Sequence, residues 1–268
     1  MSEIKEVFSK LSDEFSAMAK TIEYQKAVIS RLNNQPVCPY ACHDAAVSET
    51  VYPKRPLNDY SWREIAMLSE SGMADKLFKL GDEKEFQLND GSTIHARIIG
   101  FNHDQSDIAL PLGITFETVE TLNKDYQMNK KSTNGGGWAE SYLRMMLNSD
   151  IYNAALPGDL RAFIKPCTKL SFNDGELSET VDKLFILSEQ EVFGRKIFSN
   201  GGEGMWYEYY RRENTEYGKM KQNGERDWRW ERSPYASGTT SFCDVNNSGS
   251  ADDYSAGGAN GVAFGFCI

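Results

Sequence analysis

His103 and Asp104, adjacent in the string FNHDQSD, are the nearest approach of this sequence to an acid–base pair. A carboxylate beside an imidazole can orient a general base, or the two can hold a metal. The chain has three histidines, His43, His95 and His103. His95 falls inside a strand pattern, where a hydrogen-bonded structural histidine is expected, and His103 is read as fixing its loop. Cys38, Cys42 and His43 offer zinc-type donors. Their C-x-x-x-C-H spacing differs from the C-x-x-C-H of haem attachment, and a zinc site needs a fourth ligand. Cysteines of a strap without metal are the expectation. Asp244, Asn246, Ser248, Gly249 and Asp252 follow the first nine positions of an EF-hand loop, but Ser255 stands where the bidentate Glu belongs. A turn rich in side-chain caps accounts for the same string. Cys243 and Cys267 lie on the last strands and are read as buried thiols that could be neighbours. No G-x-S-x-G, H-E-x-x-H, P-loop or Rossmann fingerprint occurs. The expectation is a protein without catalytic residues, resident metal or cofactor.

Composition narrows the partners. The chain has 268 residues, a formal charge of -10 and a mean hydropathy of -0.54, with 40% hydrophobic residues. A packed core is therefore expected rather than general disorder. The acidic balance gives a nucleic acid no electrostatic footprint. No apolar run reaches the ~18 residues of a membrane span, so membrane insertion is not expected. The start MSEIKEVFSK has no apolar signal core, and the odd count of five cysteines is read as reduced thiols in a protein made in the cytosol.

The elements that must position these groups begin with a heptad seam: Ile4, Phe8, Leu11, Phe15, Met18, Ile22, Gln25, Ile29 and Leu32. Steps alternating 4 and 3 predict a coiled coil over residues 1–34, with polar Gln25 fixing register. Phe8 and Phe15 fit three strands better than two, so the expected partner is a second and third copy, or another fibre subunit. Residues 35–60, punctuated by Pro36, Pro39, Pro53 and Pro56, read as a linker or strap. From residue 61 to 268 the texture is globular. Ser61 with Glu64 forms a capping box ahead of an apolar face at Ile65 and Leu68. KEFQLNDGSTIHARIIGF is a hairpin with its turn at Asn89-Asp90-Gly91. GITFETVETL, KPCTKLSF and DKLFILSEQEVFG are read as strands or strand-turn segments. NGGGWAESYLRMMLNSDIYNAALPGDLRAFI holds two short helices, and two or three strands close the chain. With no βαβ repeat, this is an α+β pattern.

After Arg232 the chain contains no Lys, Arg, His, Glu, Gln, Leu or Met. Trp228 and Trp230 on one side, and Val262, Phe264, Phe266 and Ile268 on the other, are expected to anchor this ending in the core. The period-2 spacing places the last four on one face. Between the anchors, Tyr235, Ser237, Thr239, Asp244, Asn246, Asn247, Asp252, Asp253 and Tyr254 form the expected ligand-binding rim. Tyr supplies rigid amphipathic area, while Ser and Asn supply adaptable hydrogen bonds. A plain polar surface is the alternative.

The ordered motifs SESGMADKLFKLGDEKEF, IIGFNHD, GITF, DKLFILSEQEVFG, EGMWYEYY and WERSPYASGTTSFCDV…GVAFGFCI resemble the DUF6273 family of gut Firmicutes, their phages and prophages. Trp230, Arg232, Ser233, Pro234, Gly261, Val262 and Phe266 sit at matching positions. The ending also resembles the C-type-lectin-like domains of phage tail tips and of proteins diversified by retroelements. Adenine mutagenesis of AAY codons never yields Lys, Glu, Gln, Met or Trp, and all five are absent from Ser233 onward. A late cysteine pair in a lectin-like domain is also similar to the copper site of formylglycine-generating enzymes, without other accompanying features. The resemblance implies an α+β fold, a C-type-lectin-like domain with short helices and twisted antiparallel strands. It implies a receptor-binding protein of a phage tail tip, located in the virion and attaching to a host cell-surface glycan or protein. The second reading is a structural subunit of a virion, or a bacterial surface protein, that binds another protein.

Overall fold

The structure, a computed structural model, describes residues 54–268 apart from 214 and 222. The seam from Ile4 to Leu32, and Cys38, Cys42 and His43, lie outside the described residues. Ser61 starts helix α1 (Trp62–Glu70) with the expected capping box: its hydroxyl accepts from the Glu64 amide, and the Glu64 carboxylate accepts from the Ser61 amide at 2.7 Å. Leu57 and Tyr60, within the stretch read as a linker, are buried in the same unit as the residues that follow. A short helix α2 (Ala74–Leu77) leads into the hairpin of β1 (Glu83–Gln87) and β2 (Thr93–Phe101), with Gly91 at φ +87 in its turn.

The main sheet is mixed in sequence but antiparallel in pairing. Its order is β1-β2-β3-β14, where β3 is Ile114–Thr118 and β14 is Gly265–Cys267. The end of the chain thus lies beside its first half. The rings of Trp62, Phe116 and Phe266 meet at 5.2–5.9 Å between centroids, tying α1 to both halves of that sheet. On its other edge β14 is bridged to Phe185 and Lys165. This second neighbour explains a departure from the expected alternation. Every residue from Gly261 to Ile268 is buried, not only one face. Small residues occupy the second face because space is short there: a Cβ on Gly265 would stand 2.5 Å from the Phe185 ring.

Between these parts lie β4 (Glu120–Thr121), β5 (Tyr126–Gln127) and helix α3 (Tyr142–Met146), which continues as a π-helical segment (Leu147–Ala155). Helix α4 (Gly158–Arg161) and the hairpin of β6 (Cys167–Asn173) and β7 (Glu176–Asp182) follow. DKLFILSEQEVFG is only half extended. After a stretch bridged to β14, Ser188 and Glu191 make a second capping box and open helix α5 (Glu189–Phe193), which Gly194 ends at φ +72. Short strands β8 (Lys219–Lys221) and β9 (Arg226–Asp227) join β4 in one sheet. Strands β10 (Arg229–Pro234), β11 (Ser241–Val245) and β12 (Ala251–Ser255) form a three-stranded antiparallel sheet, and β13 (Ala259–Asn260) pairs with β5. Few helices and several small antiparallel sheets make this an α+β protein, as the sequence pattern predicts.

Candidate functional site

Strand β10 carries the densest polar chemistry of the chain, and it is buried. Glu231, Arg232 and Ser233 have no exposed surface. The Arg232 guanidinium donates to the carbonyls of Leu170 (2.9 Å), Ile186 (3.0 Å) and Glu203 (2.6 Å), and grips the Glu191 carboxylate in a two-pronged pair (2.8 Å for Nη2 to Oε1). Glu191 is also the capping residue of α5, so one carboxylate links that helix, β6 and β10. It shares the Lys169 ammonium with Asp104, at 3.1 and 2.6 Å. Asp104 accepts further from Thr115 (2.6 Å) and Tyr207 (2.8 Å). Burial alone would raise its carboxyl, but the Lys169 charge and these hydrogen bonds overcome burial and hold it at about 2.

A second buried cluster sits beneath β3. Glu117 takes Lys219 at 2.8 Å and the Tyr210 hydroxyl, with Arg229 at 3.5 Å. Burial, with the neighbouring Arg229 and Arg97 charges, pulls Lys219 down to about 8 against the attraction of Glu117. Neither cluster opens onto a cleft. Both fasten strands and connections that are far apart in sequence.

Above this foundation the expected rim divides. Because β10, β11 and β12 are antiparallel, the loops 235–240 and 246–250 leave opposite ends of the sheet. A five-residue strand separates them, roughly 17 Å. Tyr235, Ser237 and Thr239 lie at one end, with Tyr254 opposite Phe242; Asn246 and Asn247 lie at the other, with Asp252 nearest them. Asp253 stands between, opposite Cys243. Ser237, Thr239, Asn247 and Tyr254 are exposed, and Tyr235, Asn246, Asp252 and Asp253 are half-buried. The first loop is held through its main chain. Asn134 Nδ2 donates to the carbonyls of Tyr235, Gly238 and Ser241 (2.9–3.2 Å), and the Asn134 amide donates to Thr239. In the second loop the Asn246 side chain accepts from the Ser248 and Ser250 amides, both at 3.0 Å.

One rim assignment and one anchor assignment are corrected. Asp244 is fully buried, accepts from Asn260 Nδ2 at 2.8 Å and faces inward with β11. Trp228, expected as a core anchor, is 37% exposed, whereas Trp230 is buried and donates to the Tyr126 carbonyl at 2.7 Å. Burial pushes the Asp244 carboxyl up to about 7, opposed by Asn260 and Arg229 and reinforced by Asp252 and Asp253. The folded state therefore holds a proton that the unfolded chain releases near pH 4, so stability is expected to fall as pH rises from about 4 to 7. Asp244→Asn is expected to flatten that decline. Thermal melts between pH 4 and 8 check it, and parallel curves for the variant and the wild type would refute it.

The candidate chemistry groups are dispersed. His103 stacks on Tyr207 with centroids 4.0 Å apart, and its Nδ1 lies 3.1 Å from Glu208, while Asp104 turns to Lys169. His103 thus ties its loop to residues 207–208, and the sequence neighbours make no His–Asp pair. His95 Nδ1 lies 2.8 Å from Glu120. The Cys267 thiol meets Thr115, Asp104 and Cys167; Cys243 is not among its partners. Among the described residues no group of three or more His, Cys, Asp or Glu side chains is placed to hold a metal ion.

An open cleft of about 510 Å³, absent from the sequence reading, lies between β4, β8 and the segment 209–218. Tyr209, Arg212, Glu213, Glu216 and Met220 are among its walls. It adjoins the second loop. Arg226 pairs with Glu216 at 3.0 Å and donates to the Asn247 carbonyl at 3.2 Å, and a Cβ on Gly249 would stand 3.0 Å from the Gly218 amide. Its walls come from residues more than a hundred positions apart, so only the fold assembles it.

A family model described as a domain of unknown function (DUF6273) matches residues 113–268, more than half of the chain. No curated protein and no solved structure matches.

Proposed function

Since the chain belongs to the DUF6273 family, a domain of unknown function, we propose its role from its own residues: it is a binding module that presents the ends of its β10–β12 sheet to a host cell-surface glycan or protein. In this reading the head has a C-type-lectin-like fold and serves a phage or prophage tail tip in the virion. The N-terminal heptads gather three heads, and multivalency raises avidity by ~10²–10⁴ over one weak site. One observation carries the reading. The first loop is fixed by main-chain hydrogen bonds to Asn134, while Ser237 and Thr239 point away exposed. A fixed backbone with side chains left unengaged lowers the ordering cost of binding.

The buried Arg232–Glu191–Lys169 cluster supports it further, because the foundation does not depend on which residues occupy the loops. Catalysis has less support, since His95 and His103, the two described histidines, serve as ties between loops and strands.

The test is adhesion of the intact protein to host cells and to a glycan array. Tyr235→Ala with Ser237→Ala, and separately Asn247→Ala, are compared with wild type after melting curves show an unchanged fold. At least a tenfold loss at one end or the other is expected. Binding unaffected by all three substitutions would remove the display reading and favour a virion subunit that docks another protein elsewhere.

A further inference from the structure

Among the described residues, Arg212 is the cation of the open cleft that lacks an acidic partner. Its Nη1 donates to the Leu80 carbonyl at 2.9 Å. Gly81, at φ +90, leaves room for the guanidinium: a Cβ there would stand 2.7 Å from Nη1. The guanidinium is therefore held in place from below. Among the described residues, the wall carboxylates Glu120 and Glu216 pair with His95 and Arg226, the wall cations Arg97 and Lys221 pair with Glu83, Asp125 and Asp227, and no carboxylate pairs with Arg212. The Tyr209 ring lies between two guanidiniums, 4.9 Å from Arg97 and 5.6 Å from Arg212, and its hydroxyl accepts from Arg97 at 2.7 Å. Glu213 and Glu216 bring acceptor oxygens to the walls, and Met220, 43% exposed, brings an apolar surface.

We infer that this cleft, with the adjoining loop Asn246–Ser250, binds a carboxylate-bearing saccharide. A guanidinium fork matches a planar carboxylate. Sugar hydroxyls donate to carboxylates such as those of Glu213 and Glu216, and the apolar face of a pyranose covers Met220. The volume suits a small ligand. The Arg212 fork is open to one carboxylate and the Glu213 carboxylate is open to sugar hydroxyls, whereas a phosphate dianion would be repelled by Glu213 and Glu216. The inference rests on the display reading and adds a second binding surface to it, at the end of the sheet that carries Asn247 and apart from the first-loop end that carries Tyr235.

The full chain would be titrated calorimetrically with sialyllactose and trigalacturonate, and with lactose and galactotriose as neutral counterparts. At least one acidic sugar is expected to bind ten or more times tighter than its counterpart. Arg212→Gln should erase that preference, and Tyr235→Ala, at the far end, should leave it intact. Equal affinity for neutral sugars, no binding of either acidic sugar, or an unaltered preference in Arg212→Gln would overturn the inference. Host-cell adhesion that is lost in Tyr235→Ala, in a protein without an Arg212-dependent preference for acidic sugars, removes the cleft and leaves the display reading standing. Acidic-sugar binding that depends on Arg212, in a protein that adheres to no cell, supports the cleft and removes the display reading.

Discussion

Arg232→Met is expected to leave the domain largely unfolded at 37 °C. The substitution keeps much of the side-chain volume but removes the donors to the buried carbonyls of Ile186 and Glu203, to the half-buried carbonyl of Leu170, and to the Glu191 carboxylate. Breaking a buried pair from one side costs about 3–5 kcal/mol. Each orphaned buried acceptor adds roughly 1–3 kcal/mol. The sum is comparable with the whole stability of an ordinary domain, about 5–15 kcal/mol. Arg232→Lys should recover only part of it, because one ammonium cannot reach acceptors spread around a planar fork. Urea denaturation followed by circular dichroism measures both variants. A Met variant within about 1 kcal/mol of wild type would mean that β10 is held by packing alone.

Lys169→Met is expected to cost about 3–5 kcal/mol at neutral pH, a cost that shrinks as the pH falls. In the wild type, Asp104 sits at about 2, below its unfolded value. Its contribution is present above about pH 4 and is lost as pH falls toward 2. Lys169 is raised by Asp104 and Glu191 against the opposing effect of burial. Its contribution is present below its unfolded value and is lost only as pH climbs through the still higher folded one. Without the ammonium, Asp104 keeps the hydroxyls of Thr115 and Tyr207 but remains buried, so its carboxyl moves above the ordinary range. Acidification from pH 7 to 4 should then stabilise the variant, and the gap to wild type should close. A gap of constant size across that range would show that Asp104 and Lys169 are not electrostatically coupled.

Both results turn on residues that were hard to read. Arg232 stood in a recognisable motif, W-E-R-S-P, but nothing local shows that an arginine in a strand faces inward. Its partners at 170, 186, 191 and 203 belong to three other segments. Contiguity in sequence suggests a single patch for the rim. Antiparallel pairing sends consecutive loops to opposite ends, so contiguity there implies separation. Helix α5 carries a local signal of its own. Ser188 with Glu191 is the same S-x-x-E capping signal that located α1, and Gly194 marks its end. The preceding run Leu184–Leu187 reads as a strand and masked the start. The Cys243–Cys267 proximity failed for a related reason: β14 left the last sheet to pair with β3, which put Cys267 beside Cys167.

What the amino-acid order determined unaided was local. The capping box at Ser61, the Asn-Asp-Gly hairpin, the α+β class, and the burial of Trp230, Val262, Phe264, Phe266 and Ile268 follow from turn chemistry and from apolar patterning. These signals act over a few residues, and the chain cannot avoid them. Only the tertiary structure decided which charges are buried, where the two loops lie relative to each other, and that a cleft exists beside Asn247. Those outcomes depend on which distant strands become neighbours. A buried charge is tolerable only where its counter-charge arrives from elsewhere in the chain.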